Sequence, residues 1–355
     1  MRFHTTSLAS MVAALLSQVQ AQTWTDCNPL HTSCPSDRAL GMSINVDFTQ
    51  GEVNSFVASG KPTYGSDGVS FTVAAQGDSP LLMSTFYIMF GRVSVTMKAA
   101  PGRGIISSVV LQSDTLDEID LEWIGTDNGQ VQTNYFGKGI VSDYNRGQFN
   151  PAANNQEEWR TYTIDWTKDR ILWTVDDTEI RTQTAEAAGD EYPQTPMQVK
   201  FGAWAGGDPG NPQGTIDWAG GLTNYADGPF TMPVRSIAIS DYSTGKEYKY
   251  TDNSGSWESI EAVDGEINGN EGNVDAITVT GSATSSTESG APQVPVGGFG
   301  GSGGDVQIDD SGVPDGWIMT EEGKLIPSGS SVFRPSLAMM SCFLAGVVGL
   351  VGYVV

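Results

Sequence analysis

Residues 117–123 read Asp117-Glu118-Ile119-Asp120-Leu121-Glu122-Trp123. Acidic and apolar residues alternate from Glu118 onward, which is the period of a β-strand, whose successive side chains point to opposite faces. As a strand, the run sets Glu118, Asp120 and Glu122 on one face and Ile119, Leu121 and Trp123 on the other. Short apolar or alternating runs of the same kind recur on both sides of it, at 69–73, 90–97, 104–111, 131–136, 161–166, 170–175, 197–204 and 234–240. Clusters of Gly, Pro, Asn and Asp separate them, and no long segment holds a helical period. Many short strands in roughly 240 residues predict one all-β domain over 22–262, an antiparallel β-sandwich or jelly roll. A chain of that length buries a substantial core without extra disulfides.

Three carboxylates on one face of a strand are costly unless the charges are used. Like charges a few ångströms apart push at least one pKa upward, so a proton is held near neutral pH while another carboxylate stays ionised. That is the requirement of two-carboxylate glycosidic-bond cleavage. Four residues of strand separate the Cα atoms of Glu118 and Glu122 by roughly 13 Å. A retaining glycosidase needs its carboxyl groups only about 5–5.5 Å apart, so strand curvature and two inward-leaning side chains would have to close the gap. The alternative is an acidic edge strand whose charges deter aggregation. Asp117 begins the strand on the opposite face and reads as structural.

The run 117–122 resembles the catalytic motif of glycoside hydrolase family 16 in its Glu-x-Asp-x-Glu form. The likeness extends to Val131-Gln132-Thr133-Asn134-Tyr135-Phe136, to Thr163-Ile164-Asp165-Trp166-Thr167 with Ile171-Leu172-Trp173, and to Trp204 and Trp218. Within that family the chain is most similar to the fungal Crh-type cell-wall transglycosylases, which share an early close Cys pair, the Asn-Tyr-Phe-Gly-Lys-Gly run (134–139) and a low-complexity tail. The resemblance covers about residues 25–255. It implies a concanavalin A-like sandwich with a concave active-site cleft, and no cofactor or metal. It implies Glu118 as nucleophile, Glu122 as acid/base and Asp120 as their support. It also implies a chitin donor and a β-glucan acceptor, handled by an enzyme expected to be monomeric.

Gln132, Asn134 and Phe136 share one face of their strand by the period-two rule. If that strand pairs with 118–124 through the turn at 125–129, the face lies beside the carboxylates. Gln132 and Asn134 are then candidates to hydrogen-bond sugar hydroxyls, and Phe136 to stack on a pyranose ring, with core packing as its alternative. Trp204 in Trp-Ala-Gly-Gly and Trp218 in Asp-Trp-Ala-Gly-Gly are aromatic rings among glycines, less crowded and able to face a sugar, with core packing again the alternative. Trp166 and Trp173, inside strong strand patterns, read as core.

Both ends carry apolar segments. Arg2, an apolar stretch over 8–16 and Val19-Gln20-Ala21 have the marks of a secretory signal peptide, with cleavage expected after Ala21. The last segment, 337–355, has no charged residue and follows Ser328-Gly329-Ser330-Ser331 and a spacer with Arg334. Small residues, a spacer and an apolar tail make a GPI-attachment signal over 328–355, with Ser328 or Gly329 as the attachment point. A retained transmembrane helix is the alternative, though basic residues usually mark its cytoplasmic side and none follow here. Between the domain and this signal, 263–327 holds no Lys or Arg before Lys324, recurrent acids, a Ser/Thr-rich stretch at 278–289 and a Gly-rich one at 297–304. It is expected to be a disordered, self-repelling tether. The place expected of the protein is the cell surface, on the plasma membrane through a GPI anchor and in the cell wall.

Loss of these ends would leave one histidine, His31, and two cysteines, Cys27 and Cys34, which an oxidising route is expected to join as a disulfide. A Ser-His-Asp hydrolase needs a positioned imidazole, and a zinc site needs His and Cys clusters; neither set is present. No phosphate-cradling Gly-rich loop occurs. The formal charge of −24 argues against nucleic acid as a partner and is compatible with a neutral polysaccharide. Two other readings stay open: a secreted endo-β-glucanase or chitinase of the same fold, and a lectin-like wall protein that binds glycans without cutting them.

Overall fold

The computed structural model describes residues 25–140, 146–273, 276–280, 317–319 and 325–327. The signal peptide, most of the tether and the GPI signal expected from the sequence lie outside the described residues.

Two sheets, antiparallel except for one edge strand, face each other. The first runs in the order Gln148–Pro151 (β11), Gln130–Phe136 (β10), Glu118–Ile124 (β9), Ile105–Ser113 (β8), Met197–Ala205 (β15), Leu81–Ile88 (β6) and Phe56–Ser59 (β3). The second runs Thr178–Thr184 (β14), Arg170–Val175 (β13), Arg160–Trp166 (β12), Gly91–Met97 (β7), Phe230–Asp241 (β16), Ser43–Asp47 (β2) and Ala276–Thr280 (β19). Gly68–Val73 (β5) pairs with β16 and with Thr63–Gly65 (β4). A small sheet of Asp37–Arg38 (β1), Glu247–Tyr250 (β17) and Ile260–Val263 (β18) completes this unit. In the separate C-terminal unit, Trp317–Met319 (β20) pairs antiparallel with Leu325–Pro327 (β21).

Strict alternation of buried and less buried residues, as along Leu81–Ile88, is what a sheet packed on one face requires. The inward residues interlock across the two sheets. Trp123 on β9 meets Tyr162 on β12 edge to face, with ring centroids 4.6 Å apart. Phe201 on β15 meets Phe71 on β5 at 5.6 Å. Trp166 and Trp173 are fully buried, the core role their strand patterns predict. Such rings each bury a large apolar area, and edge-to-face pairs add about 0.5–1.5 kcal/mol beyond it.

The ordered fold runs past residue 262, where the sequence places the end of the domain. Beyond β18, the Asn268 amide donates to Ser243 Oγ and Asn270 Nδ2 to the Asp241 carbonyl, both at 3.0 Å. The alternating segment Ala276-Ile277-Thr278-Val279-Thr280 then adds in parallel to β2, with Val279 only 4% exposed. The edge of β2 offers unpaired backbone groups that template another strand, and acidic, Gly-rich composition around the segment hides this from a reading by composition.

Candidate active site

The hairpin of β9 and β10 turns at 125–129, where Asp127 N donates to the Ile124 carbonyl and Gly129 N to the Asp127 carboxylate. Its register sets Phe136 opposite Glu118, Asn134 opposite Asp120 and Gln132 opposite Glu122. On the other side of β9, β8 sets Gln112 opposite Glu118, Val110 opposite Asp120 and Ser108 opposite Glu122. One strand further, β15 contributes Gln198, Lys200 and Gly202 to the same three rows, with Trp204 beyond. Residues that are cross-strand neighbours share a face, so these side chains line one surface around the three carboxylates.

β9 departs from the alternation of its neighbours. Both of its faces are covered: Ile119, Leu121 and Trp123 by the core, Glu118 at 7% exposure and Asp120 at 3% by the polar row beside them. Burial is the main cause that raises the carboxyls of all three acids. Glu122 is pushed up to about 8, first by burial and then by the charge of Glu118. Asp120 is raised well above the usual carboxylate range by burial, then by the charges of Glu118 and Glu122. Glu118 is raised to about 7, held back by a hydrogen bond with Asp120 and by the Lys200 ammonium. Asp120 therefore keeps its proton and donates it toward Glu118, which is the member that ionises first. Glu118 thus gives up its proton more readily than Asp120, while Glu122, four residues away, is held up by the charge that Glu118 then carries. Among the described residues no cluster of His, Cys, Asp and Glu is arranged to hold a metal ion.

Asp117 is fully buried on the other face, away from this chemistry. Its carboxylate accepts from Lys138 N (2.8 Å), Gln194 N (2.9 Å), Thr195 N (3.1 Å) and Thr195 Oγ1 (2.7 Å). It ties the start of β9 to two loops, a structural part.

The two tryptophans meet at the Glu122 end. Trp204 and Trp218 stack with centroids 6.1 Å apart and planes 28° from parallel, resting on Ile106, Ile124 and Ala219. Both remain partly exposed. Trp218, at the end of the short helix Gln213–Trp218, donates its Nε1–H to Gln132 Oε1 at 3.1 Å. The glycines after each ring do something other than uncrowd it. A Cβ on Gly207 would lie 2.3 Å from the Gly221 carbonyl oxygen and 2.8 Å from the Gly104 Cα. Three backbones come together there, with Gly207 N donating to the Gly104 carbonyl and Thr223 N to the Gly207 carbonyl, both at 2.8 Å. That close approach locks the two ring-bearing loops to β8.

Phe136 sits at the Glu118 end, half-buried, with the Arg146 guanidinium 4.8 Å from its ring centroid. Arg146 also pairs with Glu191 and donates to the Ile140 carbonyl. Asn134 accepts from Tyr135 N through Oδ1. At the N-terminus Cys27 and Cys34 form the expected disulfide, with Cα atoms 5.8 Å apart. Gln112, Lys200 and Arg146 were not found by reading the sequence. A polar residue inside an apolar run, as in Val199-Lys200-Phe201, is the one local signal they carry.

A buried carboxyl raised in the folded state makes stability depend on pH. Glu118 and Asp241 at about 7 and Glu122 at about 8 keep protons that the unfolded chain releases near pH 4. The folded state thus binds more protons between about pH 4 and 8, so stability is greatest at the acid end and falls as pH rises. The melting temperature is expected to drop on the order of 5–10 °C between pH 4.5 and pH 8. A melting temperature that rose with pH over this interval would contradict the raised carboxyls.

A sheet face carrying two buried glutamates with raised carboxyls, an aspartate between them and an aromatic pair at one end has the groups of a carbohydrate-cleaving enzyme of the two-carboxylate type. Residues 46–220 match the model of glycosyl hydrolases family 16. The chain is 54% identical over 330 residues to Crh-like protein 4 of Botryotinia fuckeliana, covering 88% of this chain and 87% of that one. It is 56% identical over 268 residues to Crh-like protein 4 of Aspergillus fumigatus, covering 74% of this chain and 60% of that one. A solved structure described as Crh5 transglycosylase in complex with NAG superposes with TM-score 0.65 at 51% identity, over 66% of this chain and 99% of that one. The chain belongs to glycosyl hydrolase family 16, among its Crh-like members. It is a glycosidase or transglycosylase, and its substrates are polysaccharides.

Proposed function

We propose that this protein is a retaining transglycosylase of the fungal cell wall that cuts chitin and transfers it to β-glucan. The observation that carries the reading is the placement of Glu118, Asp120 and Glu122 on one face of β9, lined by Gln132, Asn134 and Phe136, with burial raising both glutamate carboxyls. A Glu118 carboxylate oxygen bonds to the anomeric carbon as the glycosidic bond breaks, and the Glu122 proton passes to the departing oxygen. In the second half, an acceptor hydroxyl gives its proton to Glu122 while its oxygen bonds to the anomeric carbon and Glu118 leaves. Asp120, which keeps its proton, donates a hydrogen bond toward Glu118 and holds the nucleophile in place, while burial and the charge of Glu118 keep the acid's pKa high.

Gln132 and Asn134 are the hydrogen-bonding partners of the sugars, Phe136 serves the Glu118 end, and Trp204 with Trp218 forms the platform at the Glu122 end. Since Glu122 serves both the leaving and the entering oxygen, the platform belongs to the acceptor. An acetamido sugar as donor is supported by the relative solved with NAG. Incubating the enzyme with chitin oligosaccharides and labelled β-glucan oligosaccharides is expected to give mixed products by mass spectrometry. Products of hydrolysis alone, with acceptor in excess, would leave the hydrolase reading instead.

The protein is secreted after cleavage near Ala21 and held at the cell surface as a monomer by a GPI anchor on Ser328 or Gly329. The motif of small residues, spacer and apolar tail supports this placement. A phospholipase specific for GPI anchors is expected to release the native protein from membranes. Protein that stays in the membrane after treatment would point to a retained span.

A further inference from the structure

Gln112 is the cross-strand neighbour of Glu118 and lies on the same face, 6% exposed. Its carboxamide is held from one side: the Lys200 ammonium donates to Gln112 Oε1. An ammonium has donors only, so the oxygen of the amide must face Lys200 and the NH2 must face away from it. That NH2 group is buried and has no hydrogen-bond partner among the described residues. A buried donor without a partner costs about 1–3 kcal/mol, which persists in a folded protein when a ligand supplies the acceptor. Lys200 itself is set in place by β15, in the row of Val110 and Asp120.

We infer that the Lys200–Gln112 pair is a specificity device: Lys200 fixes the amide so that Gln112 Nε2 donates to the acetamido carbonyl at C2 of the donor sugar. This rests on the proposed role of Glu118 as nucleophile. The attacked carbon lies over Glu118, and C2 is bonded to it, so a group on the next strand meets the C2 substituent. Adjacent strands are about 4.8 Å apart. An acetamido carbonyl oxygen lies two bonds farther from the ring than a hydroxyl oxygen would, and that extra reach spans toward the neighbouring strand. Val110, partly exposed in the next row, offers an apolar contact for the acetyl methyl. A glucose unit presents only the short hydroxyl and leaves the buried donor unpaired, the kind of omission that selects strongly between substrates.

The test measures affinity in full-length protein carrying Glu122→Gln, which removes turnover. Chitotetraose and cellotetraose are titrated by calorimetry into this background and into the same background with Gln112→Ala, Lys200→Met or Lys200→Arg. The preference for chitotetraose over cellotetraose is expected to fall about tenfold with Gln112→Ala and with Lys200→Met. Lys200→Arg, which keeps a cationic donor to Oε1, is expected to keep most of it. A preference unmoved by Gln112→Ala, or both affinities falling by the same factor, would overturn the inference while leaving the enzyme reading intact. A parent background that prefers cellotetraose would overturn the chitin donor itself, and this role with it.

Discussion

Glu118→Gln and Glu122→Gln are each expected to lower turnover by at least about 10³-fold, while the protein melts no lower than the wild type at neutral pH. The two halves of that expectation have one cause. Each glutamate is buried at a cost that its chemistry requires and the fold does not, since burial is the largest influence on both. A neutral amide of the same shape removes the buried charge at Glu118 and replaces a carboxyl already held mostly neutral at Glu122, so neither variant adds to that cost. The two variants should part ways on a donor with an activated leaving group. A good leaving group departs without a proton, so Glu122→Gln should recover its first half-reaction and Glu118→Gln should not. Asp120→Asn, which alters a hydrogen bond to the nucleophile, is expected to lose only about 10–100-fold. Near-normal turnover by either glutamine variant would show that the roles are wrongly assigned.

Trp218→Ala is expected to raise the ratio of hydrolysis to transfer by roughly tenfold, with a smaller effect on bond cleavage. A glycosyl group on Glu118 meets water at very high concentration. Transfer prevails only where an acceptor is held and aimed, an advantage worth about 7–11 kcal/mol in well-oriented cases. Trp218 stacks on Trp204 and holds Gln132, the residue paired with Glu122. Its removal therefore disturbs both a platform for the acceptor and a hydrogen-bonding group beside the acid/base. Trp204→Ala leaves the Trp218–Gln132 hydrogen bond possible and should shift the ratio less. Product analysis with chitin oligosaccharides as donor separates the two variants. A Trp218→Ala enzyme whose cleavage falls as much as its transfer would move the platform to the donor side.

What could be read along the chain was whatever a strand's own period encodes. The alternation over 117–123 was enough to separate three carboxylates from three core residues, and β9 spans 118–124 as that pattern predicts. The same rule put Gln132, Asn134 and Phe136 on one face and identified Trp166 and Trp173 as core. Pairing between distant strands is not encoded locally. Lys200 stands 82 positions beyond Glu118 in the sequence, and only the order β9-β8-β15 brings its charge to that carboxyl. Gln112 is near Glu118 in sequence, yet its fixed amide depends on Lys200. Composition likewise concealed the strand at 276–280, because an edge recruits a segment through backbone groups that every residue carries. The glycines beside Trp204 and Trp218 were visible as a pattern, but their reason was the meeting of three backbones. Period and residue type are properties of neighbours in the chain; register, close approach and a shared proton are properties of neighbours in space, and those the tertiary structure decided.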